Sequence, residues 1–236
     1  MEANRTQLPW RRILVESAAV ILSILLAFAI DAAWEARQER DHETVLLSGL
    51  LFEFRSVRPD LVTRVSTARR LRHNSVILRD QMAEAAGAGP VEVPDSILMS
   101  VIGGPTFQPA INTLDAALAS GEIDLILDNE LRNHLAQWRT ILADTYESEK
   151  EVRAIATARI GPLIARDVAL GWYFDNAVSM DAGPFETQGS AKLTPTLELS
   201  GAIAARAFYG QFAAEGLASL LSVLDTIVSL IEADLN

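Results

Sequence analysis

The sequence predicts an all-α protein in which an N-terminal transmembrane helix continues into a bundle of long antiparallel helices. Three observations support this fold class. An apolar run of 18 residues occupies positions 13–30. Apolar residues then recur every three to four positions over long stretches, which is the period of packed helices. Alternating apolar and polar residues, which would indicate strands, are almost absent.

The apolar run has the length of a membrane span. At about 1.5 Å rise per residue it covers roughly 27 Å, close to the thickness of the hydrocarbon core. Trp10 and Trp34 bracket it 24 positions apart, as aromatic residues at two headgroup levels do. Arg11 and Arg12 stand at its start. We therefore expect residues 13–34 to form a signal-anchor helix, with these tryptophans and arginines as interfacial anchors.

Basic residues indicate the orientation of this helix. Arg5, Arg11 and Arg12 precede it, whereas Arg37 and Arg40 follow it. The excess favours residues 1–12 in the cytoplasm and residues 35–236 as an extracytoplasmic domain. A cleavable signal peptide is an alternative, since residues 27–29 form an A-x-A pattern. The length of the apolar run and the charge of Glu16 favour a retained anchor.

Small and polar residues at steps of three to four follow one face of the span. They are Glu16, Ala19, Ser23, Ala27 and Asp31. Because small side chains let helix backbones approach closely in lipid, this stripe predicts packing against another span. The partner would be a second copy or another membrane protein. Glu16 itself is either an interfacial carboxylate or a titrating group of an ion-coupled complex.

Beyond the membrane, a stripe from Leu47 to Met82 repeats with a mean period of 3.5 and predicts a long core-facing helix. Pro59 interrupts it, and we expect a kink there because the stripe keeps its phase. Glycine and proline predict loop regions near 87–109 and 171–196, the first with room for a short helix at 95–102. The apolar repeat from Leu217 to Leu235 predicts a core helix rather than a second span.

A helix corner is predicted around residues 120–129. Ser120 and Gly121 would end one short helix, and Asn129 would cap the next. Between them, the side chains of Leu125, Ile126 and Leu127 would pack into the core beneath the corner.

Composition argues against several function classes. The chain has no cysteine and only three histidines, so thiol chemistry and thiolate metal sites are excluded. The net charge of −11 argues against nucleic-acid binding. No nucleotide, metal or hydrolase motif is present. Glu147 and Glu151 stand one turn apart, but a solvated helix face explains them. We expect no cofactor, no bound metal and no catalytic activity.

Two segments resemble a family of uncharacterised bacterial membrane proteins with one N-terminal span. In the span, six residues fall in step with the family pattern: Glu16, Ile24, Ala27, Ile30, Trp34 and Glu35. Residues 113–132 are similar to a second family run built around Ser-Gly and Glu-Leu-Arg. Ser17 and the Asp-Ala-Ala at 31–33 depart from the pattern. The resemblance implies a bacterial helical protein anchored by a single span, and it implies no activity. Together with the orientation above, we expect an inner-membrane protein whose main domain is periplasmic or otherwise extracytoplasmic.

These patterns favour a non-catalytic accessory, scaffold or assembly component that acts through protein–protein contacts. An ion-coupled subunit that uses Glu16 is one alternative. A sensory domain with a ligand near Trp172 is another.

Overall fold

The computed structural model describes residues 10–104, 106–170 and 189–235. Six α-helices occupy them: α1 (Trp10–Glu84), α2 (Asp95–Ile102), α3 (Asn112–Ser120), α4 (Asn129–Ala154), α5 (Gly161–Ile164) and α6 (Leu197–Leu235). A 3-10 turn (Glu122–Leu125) precedes α4, and a π-helical segment (Ile155–Ile160) joins α4 to α5. Two short strands, β1 (Val91–Pro94) and β2 (Ser190–Leu193), pair antiparallel. The predicted all-α class is confirmed apart from this pair.

Helix α1 is one helix of 75 residues, so it is about 112 Å long. It continues through Pro59, whose missing N–H leaves a backbone carbonyl one turn earlier without its usual donor. The hydroxyl of Thr63 donates to the Pro59 carbonyl oxygen at 3.0 Å within the following turn. The predicted stripe is the buried face of this helix: Leu47, Phe54, Leu61, Leu78 and Met82 are all buried.

Helix α6 is the centre of the body, because it packs against both α1 and α4. One half of the core gathers apolar residues of α1, α3, α4 and α6 around Phe54 and Trp138, whose rings meet edge to face at 5.2 Å. The other half joins the end of α1 to α2, the strands and the start of α6. Leu217, Leu224 and Ile231 are buried, so α6 is a core helix as predicted.

Ion pairs between α1 and α6 show their relative direction. Arg58 Nε donates to Asp225 Oδ1 at 2.7 Å, and Arg55 Nη2 donates to Glu232 Oε1 at 2.6 Å. A lower number on α1 thus meets a higher one on α6, and the two helices run in opposite directions here. Arg55 and Arg58 therefore form ion pairs with α6 in addition to facing solvent.

The predicted loop regions contain more order than expected. Helix α2 occupies the predicted positions 95–102. Strand β1 was not predicted, since four residues carry little periodicity and the partner strand lies 96–102 positions away. Within the second loop region, β2 is described, whereas residues 171–188, which include Trp172, lie outside the described part of the chain.

At the helix corner, Gly121 follows α3 with φ of +83°, a left-handed conformation that glycine adopts without strain. The Ser120 hydroxyl accepts a hydrogen bond from the backbone N–H of Glu122 at 3.3 Å. The expectation that Asn129 caps α4 is wrong. Asp128 is the cap, and its carboxylate accepts from the N–H groups of Glu130 and Leu131. Ile126 fills the corner, while Leu125 is only half-buried.

Replacing Gly121 with alanine tests this corner. We expect Gly121→Ala to lower the free energy of unfolding by about 1–2 kcal/mol, because a Cβ disfavours the left-handed conformation. No heavy atom lies within 4 Å of the position a Cβ would take, so crowding does not contribute. The measurement is denaturant unfolding of the full-length chain in detergent, followed by circular dichroism.

Gly201→Ala is the matched control. Gly201 is an exposed residue of α6 with similar free space, and its φ is not positive. It should gain about 0.5–1 kcal/mol from helix propensity. Equal effects of the two substitutions would contradict the left-handed cap.

Candidate functional site

The first part of α1 is an apolar helix that packs against no other described element. Every side chain described from Leu14 to His42 is exposed. The large apolar ones are Leu14, Val20, Ile21, Leu22, Ile24, Leu25, Leu26, Phe28 and Ile30. Transferring each such side chain out of water is worth about 1.5–3 kcal/mol. This surface is therefore unfavourable in water and indicates contact with lipid or with another helix.

Two helices of the described residues are long and apolar enough to cross a membrane. In α6, 39% of the most apolar window is buried inside the body, whereas in α1 none of that window is buried. Burial in the core accounts for part of the apolar character of α6. The apolar window of α1 has no such environment within the described body.

The predicted interfacial anchors lie at the two ends of this surface. Trp10 begins α1 and is 69% exposed, and Trp34 is 71% exposed. Their separation of 24 residues along one helix is about 36 Å, which lies between the thickness of a bilayer's hydrocarbon core and that of the whole bilayer. Arg11 and Arg12 lie in the first turn of α1, and their side chains are outside the described part.

The predicted small-residue stripe lies along one exposed side of the same helix. Glu16, Ala19, Ser23, Ala27 and Asp31 are all exposed. The Ser23 hydroxyl donates to the Ala19 carbonyl oxygen at 2.8 Å, so its hydrogen bond is made within the helix. The side chains at the centre of the stripe are therefore small, and the Ser23 hydroxyl already has a hydrogen-bond acceptor. Such a surface permits close approach of another helix in lipid.

Three buried glutamates form a second feature, which the sequence analysis missed. Glu43 and Glu53 lie on α1, and Glu149 lies on α4. Each accepts a hydrogen bond from a backbone N–H of the segment 107–127, which crosses over the long helices. We call these three side chains the glutamate clamps.

Each clamp accepts hydrogen bonds from backbone N–H groups that have no acceptor within a helix. Glu53 accepts from the N–H groups of Thr113 and Leu114 at 3.0 and 3.3 Å, one on each carboxylate oxygen, and so caps the start of α3 from another helix. Glu43 accepts from Leu127 N at 2.7 Å while Arg40 donates to its other oxygen at 3.0 Å. Hydrogen bonds to charged groups contribute about 1.5–3 kcal/mol each, so the clamps fix the crossing segment to the long helices.

Glu149 differs from the other two clamps. Its Oε2 accepts from the backbone N–H of Phe107 at 2.8 Å. Burial raises its pKa, and the Phe107 hydrogen bond and the charges of Arg64 and Arg153 only partly offset this. Glu147 and Glu151, which the sequence analysis considered, are both exposed on α4. The signal for Glu149 was its register, since it continues the buried positions of Leu135, Trp138 and Thr145.

The clamps connect the crossing segment 107–127 to the long helices. Their carboxylates are engaged by backbone N–H groups, and the described residues include no cluster of three or more His, Asp or Glu side chains that could hold a metal ion. Comparison with protein-family models, with curated proteins and with solved structures gives no match. The resemblance of the span and of residues 113–132 to a membrane-protein family therefore stays a prediction.

Two glutamine substitutions test the clamps against each other. We expect Glu53→Gln to lower the free energy of unfolding by about 1.5–3 kcal/mol, because the amide nitrogen would face an N–H donor. Glu149→Gln keeps an oxygen for Phe107 and removes a buried charge, so its free energy of unfolding at neutral pH should equal or exceed that of wild type. Denaturant unfolding measures both, with Glu151→Gln as the exposed control.

The pH dependence separates them further. A raised pKa means that the folded state holds the Glu149 proton more tightly than the unfolded chain does. This residue therefore contributes stability below its ordinary pKa of 4.5, and that contribution is lost as pH rises through the raised pKa. Because glutamine does not ionise, Glu149→Gln should not lose stability over this pH range. An identical pH profile in variant and wild type would contradict the assignment.

Proposed function

We propose that this protein is a membrane-anchored, non-catalytic accessory or scaffold component that acts through protein–protein contacts. The observation that carries the proposal is the apolar, fully exposed first part of α1, which continues without a break into the folded body. Residues 13–34 would span the bilayer, with residues 1–12 in the cytoplasm and residues 35–236 outside it.

The charge distribution supports this arrangement. Arginines precede the span, as the positive-inside rule favours for a cytoplasmic end. Residues 81–236 carry eight basic and twenty-one acidic residues, so an anionic bilayer surface would repel most of the body. A body held away from the lipid leaves its surface accessible to partners.

The geometry of α1 supports a scaffold role. Glu43 is the first buried residue after the span and lies nine positions beyond Trp34, or about 13 Å. From Trp34 to Glu84 the same helix extends about 75 Å. Because one helix joins both parts, a partner that binds the span also sets the rotation and position of the body.

The small-residue stripe is the face through which we expect the span to meet its partner. Since the chain has no cysteine, single cysteines report on it without background. We expect Ser23→Cys, oxidised in native membranes, to give a disulfide-linked dimer or a single cross-linked species with a second membrane protein.

Leu25→Cys is the matched control. Leu25 is equally part of the exposed apolar segment but lies about 200° around the helix from Ser23. It should cross-link several-fold less. Only monomer from both variants, or equal cross-linking from both, would contradict packing through the stripe.

A further inference from the structure

A small cavity of about 40 Å³ lies between α1, α4 and α6, in the body and away from the proposed span. Its polar lining comes from all three helices and includes Arg72, Ser75, Glu149, Arg153 and Arg206. Arg72 lies 38 positions beyond Trp34 on α1, which is about 57 Å along the helix. The cavity therefore lies well beyond the proposed span along α1.

Arg206 is the buried group of this cavity, with only 1% of its surface exposed. Its Nη1 donates to the Val152 carbonyl oxygen at 3.0 Å, and its Nη2 donates to the carbonyl oxygens of Ser100, at 2.8 Å, and Gly103. Its Nε–H is buried and has no hydrogen-bond partner among the described residues. One nitrogen of this buried guanidinium, which lines the cavity, thus makes no hydrogen bond within the described residues.

Arg206 also has no ion-pair partner in the part of the chain that the structure describes, since no carboxylate there comes within 4.0 Å of it. Burial lowers its pKa to about 10, so the side chain is still a cation at neutral pH. Carbonyl dipoles solvate this charge in part, but a buried cation without a counter-charge is costly.

Most of the other charged residues around the cavity are arginines. Arg72 and Arg153 are exposed residues at its edge, so three arginines line it. Glu149 is the one acidic residue among the described lining residues, and one of its oxygens is bonded to the Phe107 N–H. The lining therefore attracts anions, although the chain as a whole is acidic.

We propose that this cavity binds a small oxyanion, a carboxylate or phosphate group, with the Nε–H of Arg206 as the buried donor and Arg72 and Arg153 at its edge. An oxyanion has several acceptor oxygens and can contact guanidinium groups on different helices at once. It would supply the missing counter-charge and link α1, α4 and α6. With residues 13–34 in the bilayer as proposed above, the cavity would face the aqueous phase, and we expect a water-soluble ligand.

Thermal unfolding of the full-length chain in detergent, titrated with acetate, phosphate or chloride, tests this site. A bound anion stabilises the folded state, and at about ten times the Kd we expect Tm to rise by about 3–6 °C. A rise with acetate alone identifies a carboxylate site and a rise with phosphate alone a phosphate site, while a rise with both supports the shared chemistry. No rise with either oxyanion, or an equal rise with chloride, would overturn the proposal.

Two double variants separate a site from general salt effects. Arg72→Gln with Arg153→Gln removes the edge of the cavity and should abolish the rise in Tm. Arg69→Gln with Arg159→Gln removes the same charge from exposed positions that do not line the cavity and should keep the rise. All four positions are exposed, so both proteins should fold. An equal response of the two variants would contradict the assignment of the site.

Discussion

One continuous helix has to suit two different environments, since its first part is apolar and exposed and its second part packs into the core of the body. The rest of the structure follows from this constraint. The described side chains of helix α1 are exposed from Leu14 to His42, and most of this stretch is apolar. From Glu43 onward the same helix is the longest element of a packed core. The charged stretch of residues 35–42 separates the two parts without ending the helix. A partner that binds the first part of α1 is therefore connected to the body through one unbroken helix.

The body is organised so that long helices hold short ones. Helix α6 buries one side against α1 and another against α4, and it completes both halves of the core. The crossing segment 107–127 contains α3 and the 3-10 turn, and N–H groups at its two ends and at the start of α3 bond to side chains of the long helices. Glu43, Glu53 and Glu149 supply acceptors from the long helices, so burial of these carboxylates is compensated by hydrogen bonds. Arg206 does the reverse, as a buried donor to three backbone carbonyls.

Local patterns in the sequence predicted much of the helical structure. The 3.5-residue stripe of α1, the short helix α2 and the core role of α6 depend on periodicity along one segment, and all three are observed. The β1–β2 pair and the glutamate clamps depend on contacts between residues far apart in the chain, which periodicity does not report. Asp128 rather than Asn129 caps α4 because the choice between adjacent capping residues depends on where the preceding 3-10 turn ends.

Cysteine accessibility in native membranes tests the central claim most directly. Ile24 and Phe52 lie on the same helix and are 51% and 78% exposed, so in water both cysteine variants would react readily with a membrane-impermeant maleimide. If residues 13–34 span the bilayer, Ile24→Cys is protected until detergent is added, while Phe52→Cys reacts once its side of the membrane is accessible. Reaction of Ile24→Cys as fast as Phe52→Cys without detergent, or a mature chain that begins after Ala29, would contradict the membrane anchor.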